Sequence, residues 1–214
     1  ITREYTEEEA HLLDICLMLH AEHGGGNNST FVCRTLTSSG TDAYSAYSGA
    51  IGSLKGFRHG GANISVVRMF DAIKKGVSDW KDDEEITAFL TGILDRRYGD
   101  RTGLIYGMGH AVYSLSDPRA QILRDSAERL AAEKGMTEEL MLLKSIERLA
   151  PAAIASRKGD KKAICANVDL YSGFVYRMLG IPDELFTPLF AVARMSGWCA
   201  HRIEEYTTCS RIIR

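Results

Sequence analysis

Leu54-Lys55-Gly56-Phe57-Arg58-His59-Gly60-Gly61-Ala62-Asn63 is a glycine-punctuated break between two runs that read as helices. Upstream, 41–54 is rich in Ala43, Ala46, Gly49, Ala50, Gly52 and Ser53; downstream, from Asn63 to Lys75, Val66, Val67, Phe70 and Ile73 recur at helical spacing. Helix, turn, helix is the pattern, and no segment elsewhere alternates with strand period for long enough to matter. The fold class is therefore all-α. The turn also has a chemical reading: two glycines after a histidine bring no side chains to crowd a ligand and let the backbone bend sharply. His59 is the first catalytic candidate.

Working outward, Thr6-Glu7-Glu8-Glu9 has the hydroxyl-then-Glu spacing of a capping box and predicts a helix to about Ala21. Gly24, Gly25 and Gly26 end it, and Asn27, Asn28 and Ser29 are placed to cap a helix reaching Thr37. Asp82 or Asp83 starts another, with Ile86, Phe89, Leu90, Ile93 and Leu94 inward. The stretch 96–117 is a long glycine-bearing connection, of the kind that tends to carry function. Asp117-Pro118 opens a helix to Lys134, Thr137 begins the next, and Pro151 is expected to break it near Ala150. Val168 to Leu179 and Thr187 to about Tyr206 complete the set.

The small residues of 41–54 suit close helix packing, either at a dimer interface or inside the chain. With 45% hydrophobic and 25% charged residues and a net charge of −2 over 214 residues, the composition is that of a globular protein. Charge points to neither a nucleic-acid nor a membrane partner. No apolar run reaches the ~18 residues that span a bilayer, and no signal peptide is recognised, so a cytoplasmic location is expected. The chain opens at Ile1 and stops at Arg214 within a basic segment, which reads as a fragment. Five cysteines without CxxC spacing read as reduced packing residues. His20 and His23 flank Glu22 at a spacing that can ligate a metal, but the HExxH order and a third ligand cluster are missing, so no metal is expected.

Two further segments resemble the His59 turn in character, Gly107-Met108-Gly109-His110-Ala111-Val112 and Asn167-Val168-Asp169-Leu170-Tyr171-Ser172-Gly173, with His20 to Asn27 upstream and Arg194 downstream. Together they suit carbon–carbon bond formation beside a carbonyl. A carboxylate such as Asp169 can take a weakly acidic proton from a thioester methyl only if the enolate is stabilised, and an imidazole N–H such as that of His59 can do so. A keto dicarboxylate would then be held by guanidinium forks, for which Arg119, Arg194 and Arg214 are the candidates. The basic run Arg157, Lys158, Lys161 and Lys162, placed on a loop, is a candidate contact for a phosphate-bearing ligand.

The segments His20 to Asn27, Gly56 to Asn63, Gly107 to Arg119, Asn167 to Gly173, Phe190 to Gly197 and Arg211 to Arg214 resemble, in order and spacing, successive signatures of citrate synthase. The resemblance covers the whole chain and corresponds to the family's catalytic half. It implies 62–175 as a small helical domain, with 1–61 and 176–214 as part of the large one. It implies Asp169 as base, His59 as donor to the acetyl thioester oxygen and His110 as donor to the oxaloacetate carbonyl. His23, Arg119 and Arg194 fall to the oxaloacetate carboxylates, and Arg214 to a site shared across a homodimer. Coenzyme A, as the acetyl-CoA substrate rather than a resident cofactor, would lie along Ile105, Gly107, Met108, Gly109 and Ala111, with Asn167 alongside.

Where some family members place a basic residue near the coenzyme phosphates, this chain has Ser114, Leu115 and Ser116. The nearest rival is a 2-methylcitrate synthase, which uses the same residues on propionyl-CoA. A rival of another class is a non-catalytic helical binding module. The isolated 214-residue chain is expected to be weakly active or inactive, because part of a large domain standing alone leaves apolar faces uncovered.

Overall fold

The structure is a computed structural model describing residues 4–110, 113, 115–158, 163–208 and 211–214. Among them the regular structure is helical: α1 (Glu7–His20), α2 (Asn28–Ser38), α3 (Ala43–Lys55), α4 (Ala62–Gly76), α5 (Asp83–Leu94), α6 (Pro118–Glu133), α7 (Thr137–Lys158), α8 (Asp169–Met178) and α9 (Phe186–Thr208). One isolated antiparallel bridge, Met108 to Ala166, is the only β pairing among the described residues. None of the described helices is long and apolar enough to cross a membrane.

The local signals act as their chemistry requires. Thr6 and Glu9 exchange the two bonds of a capping box, Thr6 N–H to Glu9 Oε2 at 2.9 Å and Glu9 N–H to Thr6 Oγ1 at 3.2 Å. Asp82 accepts from the N–H groups of Glu84 and Glu85, and Asp117 accepts from that of Arg119 just after Pro118.

Two expectations are corrected. Pro151 does not end its helix: α7 runs on to Lys158, which places Arg157 on a helix rather than a loop. A mid-helix proline costs about 3 kcal/mol. Burial of Ala150 before it and of Ala153 and Ile154 after it offsets that cost, since one fully buried Ile contributes about 1.5–3 kcal/mol. Second, Asn27 sits at the cap position of α2 but makes no side-chain cap bond. Its amide oxygen is occupied elsewhere, as described below.

The chain divides into two compact units, 1–12 with 62–183 and 13–61 with 184–214. In the first, α8 packs against α4 and α6 while α5 packs against α7. Ile73, Ile86, Leu90, Leu123, Leu130, Ile146, Leu170 and Val175 are fully buried there, and Phe70 meets Phe174 edge-on at 6.2 Å. In the second, α2, α3 and α9 pack together around Cys33, Ala46, Ala50, Leu54 and Trp198. Part of the small-residue set of α3 packs inside this unit: Ala46 and Ala50 are buried and a Cβ on Gly49 would stand 2.3 Å from Leu36 Cδ1, whereas Gly52 is exposed with open space at its Cβ position. The boundary between the first unit and the segment leading to α9 follows Asp183, so α8 lies whole within the first unit.

Candidate active site

In the first unit, the long connection after α5 is fastened to the segment before α8. Gly109 N–H donates to Cys165 O at 2.7 Å and Asn167 N–H to Gly107 O at 2.9 Å, the two bonds flanking the Met108–Ala166 bridge. Gly107 has φ +80°, and its Cβ position is 2.9 Å from Leu170 Cα, so both conformation and space require glycine. Asn167 completes the fastening: its Nδ2 donates to Gly109 O at 2.9 Å and its Oδ1 accepts from Asp169 N–H at 3.0 Å. Asp169 is thereby held in the first turn of α8.

The same connection carries His110. Tyr113 N–H donates to His110 Nδ1 at 2.9 Å, and an N–H can only donate, so the neutral ring carries its proton on Nε2. Arg119 Nη2 stands 3.1 Å from that Nε2. The two donors lie side by side, with Asp117 Oδ2 4.0 Å from the same Nε2, and an oxygen acceptor reaching both would suit them. Arg119 is aimed by Asp117, which accepts from its Nε at 3.1 Å and its Nη2 at 2.8 Å. Burial raises the Asp117 carboxyl, but the bonds and charge of Arg119 outweigh it and hold the group below the usual carboxylate value. Burial lowers the His110 pKa, with Asp117 opposing and Arg119 reinforcing the shift.

Beside His110 opens a cavity of about 240 Å³, lined by Leu94, Gly103, Ile105, Met108, Gly109 and Ile154 among others. Ile105, Met108 and Gly109, expected along the coenzyme, thus share one wall with His110. Ala111 lies outside the described residues, as do Ser114, Lys161 and Lys162. Arg157 is already ion-paired with Asp95.

The second unit holds His59, His23, Arg194 and Arg214. Gly60 N–H closes the turn on Leu54 O at 2.8 Å, and Thr187 Oγ1 donates to Gly60 O at 2.8 Å. A Cβ on Gly60 would lie 2.2 Å from Leu54 O, and one on Gly61 2.8 Å from Phe57 O. Close backbone approach is thus what demands both glycines. Ser29 meets His59 Nε2 with its N–H at 3.4 Å and its hydroxyl at 2.9 Å, so Nε2 accepts and the neutral ring carries its proton on Nδ1. Trp198 Nε1 donates to the same hydroxyl at 3.3 Å. Burial, then the charge of Arg194, lowers the His59 pKa and keeps the ring neutral.

Arg194 is 1% exposed on α9. Its Nε donates to His20 O at 2.7 Å, its Nη1 to Asn27 Oδ1 at 3.1 Å, and its fork lies 4.7 Å from the Phe190 ring centroid. Both of these acceptors are neutral oxygens, and they fix the orientation of the fork. This is where the missing cap of α2 went. His23 sits in the turn between α1 and α2, its N–H donating to Glu22 Oε1 at 2.9 Å. Arg214 is exposed at the last residue, beside Ile213, whose N–H donates to Ser38 Oγ at 3.0 Å.

The citrate synthase C-terminal domain model matches residues 1–214. The chain belongs to the citrate synthase family. It is 46% identical over 211 residues to a citrate synthase of Deinococcus radiodurans, covering 99% of this chain and 51% of that protein. It is 37% identical over 203 residues to a 2-methylcitrate synthase of Shewanella oneidensis, covering 95% of this chain and 48% of that protein. The citrate synthase of Thermoplasma acidophilum, solved as a ternary complex with carboxymethyl coenzyme A and oxaloacetate, superposes with a TM-score of 0.81 at 31% identity, over 99% of this chain and 52% of that one. The chain spans about half the length of the curated relatives it matches. The all-α fold and the family read from the sequence are both borne out.

Ser29, Asp117 and Glu22 were missed as site residues. Only Asp117 had a signal, as a cap before Pro118, and its second role on Arg119 is visible from the spacing only once the helix start is known. Ser29 meets His59 and Trp198, and Glu22 meets His201, far along the chain, and no local pattern announces those contacts.

Proposed function

We propose that the protein bearing this chain is a citrate synthase, condensing acetyl-CoA with oxaloacetate to citrate and free coenzyme A. The observation that carries the reading is the pairing of the His110 Nε2 edge with the Arg119 guanidinium, 3.1 Å apart, a donor and a cation of the kinds that suit a carbonyl oxygen beside a carboxylate. Asp169 removes a proton from the acetyl methyl while His59 Nδ1–H stabilises the thioester enolate oxygen. The enolate carbon attacks the ketone carbon of oxaloacetate as His110 supplies a hydrogen bond and then a proton to the ketone oxygen. Water cleaves the citryl thioester, releasing citrate and the thiol of coenzyme A.

Arg119, Arg194 and His23 bind the oxaloacetate carboxylates, and Arg214 is supplied by the second subunit of a homodimer. The cavity beside His110 takes part of the coenzyme, which comes and goes as substrate, so the site needs neither a metal nor a resident cofactor. A cytoplasmic location accords with the composition. The test is release of coenzyme A thiol from acetyl-CoA with and without oxaloacetate, on the protein and on Asp169→Asn. Oxaloacetate-dependent release that falls about 10²–10⁴-fold in the variant supports the condensation and the base together; no such release removes the assignment.

The similarity to the Shewanella oneidensis protein favours one second reading, a 2-methylcitrate synthase acting on propionyl-CoA. One methylene is worth only ~1–3 kcal/mol of selectivity. Comparing kcat/KM for acetyl-CoA and propionyl-CoA separates the two.

A further inference from the structure

Three residues of α9 at helical spacing, Arg194, Gly197 and His201, face the 20–27 segment that carries His23. Arg194 ties its two ends, donating to His20 O and to Asn27 Oδ1. Gly197 lets the segment lie against the helix: a Cβ there would be 2.3 Å from Ala21 O and 2.6 Å from Glu22 Oε2. His201, one turn further, places Nε2 3.0 Å from Glu22 Oε1. Its ring also covers the turn, since a Cβ on Gly25 would be 3.2 Å from His201 Cε1.

Glu22 Oε1 in turn accepts from the N–H groups of His23 and Gly24. Gly24, at φ +83°, has no regular helix to support it. The Glu22 side chain is 46% exposed, so left alone it would exchange these bonds for water. Burial raises its carboxyl, yet the bonds from His201, Gly24 and His23 outweigh that and hold it ionised. The other charged groups around His201 are Glu204, 3.4 Å from Nδ1, and Arg34, which crowds Gly25 from α2 and is itself paired with Glu205 at 3.1 Å.

We propose that His201 is a positioning residue: through Glu22 it holds the His23–Gly24 turn in the form that presents His23 to a carboxylate of oxaloacetate. The proposal rests on the reading of His23 as an oxaloacetate ligand. His201 itself touches no substrate; it orients the residue that does.

The test compares His201→Ala, His201→Gln, Glu22→Ala and the His201→Ala/Glu22→Ala double variant, with steady-state kinetics and the backbone amide resonances of His23 and Gly24. Because the pair is half open to water, His201→Ala is expected to raise KM for oxaloacetate about three- to fivefold, with kcat within about twofold. His201→Gln, which keeps a donor, is expected to restore KM, and the double variant to be no worse than Glu22→Ala alone. Unchanged KM and unmoved amides in His201→Ala overturn the proposal, as does an effect on thermal unfolding, kcat and KM alike that glutamine fails to rescue. If the unmodified protein shows no oxaloacetate-dependent turnover, the synthase reading fails instead. The amides then still decide whether His201 sets the turn: they must move in His201→Ala and stay in His201→Gln.

Discussion

The two histidine turns reach the same chemical state by opposite means. His59 and His110 are each a neutral imidazole with one nitrogen accepting from a fixed N–H and the other carrying the proton, and each has an arginine beside it. In the His59 turn the arginine, Arg194, is buried and donates to two neutral oxygens. In the His110 turn Arg119 is locked to a buried carboxylate, Asp117. The contrast shows that a neutral donor ring can be prepared by desolvation either beside an arginine that donates to neutral oxygens or beside one locked to a carboxylate. The second arrangement places a buried salt bridge next to the ring.

That difference can be broken most severely at Asp117. Asp117→Asn leaves a nearly buried guanidinium without its partner and is expected to destabilise the fold by about 3–5 kcal/mol in urea denaturation. A smaller effect distinguishes the glycines. Gly60→Ala drives a methyl onto Leu54 O and is expected to cost about 1–3 kcal/mol by overpacking. Gly109 has φ +95° with nothing within 4 Å of its Cβ position, so Gly109→Asn is expected to recover part of the loss of Gly109→Ala, whereas Gly60→Asn recovers none of that of Gly60→Ala. Thermal melts of the four variants check this.

At the rings themselves, Ser29→Ala deprives His59 of a hydroxyl and buried Trp198 of its acceptor, at an expected cost of about 1–3 kcal/mol. Tyr113→Ala keeps the backbone N–H that fixes His110. Nitrogen chemical shifts of the two imidazoles should therefore show a weaker preference for the Nδ1–H tautomer at His59 in the first variant, where only the longer 3.4 Å backbone N–H bond remains, and an unchanged balance at His110 in the second.

The smallest effect is on pH. Both histidine pKa values are lowered by burial, so the unfolded chain binds the extra protons first as pH falls. The stability tied to these rings is then full above the ordinary histidine value of about 6.5 and declines as pH drops below it toward the folded values. Arg119→Gln removes an influence that lowers the His110 pKa, so that pKa is expected to rise in a proton titration by NMR. Asp117, by contrast, raises it, so its loss should move His110 further down.

Much of this was legible without coordinates where neighbours along the chain do the work. The capping box at Thr6, the caps at Asp82 and Asp117, the glycine turns after α1 and α3, and the helical character throughout all rest on interactions spanning a few residues, which sequence spacing encodes directly. The family signatures are legible for the same reason, being short segments in a fixed order. What the spacing does not encode is which distant group each polar atom meets. Asn27 gives its oxygen to Arg194 instead of to a cap, Arg119 is held by Asp117, Ser29 serves both His59 and Trp198, and α7 passes through Pro151 because Ala153 and Ile154 are buried beyond it. These outcomes depend on residues up to 169 positions apart competing for one partner or one buried surface. Packing resolves that competition, and the local pattern carries no term for it.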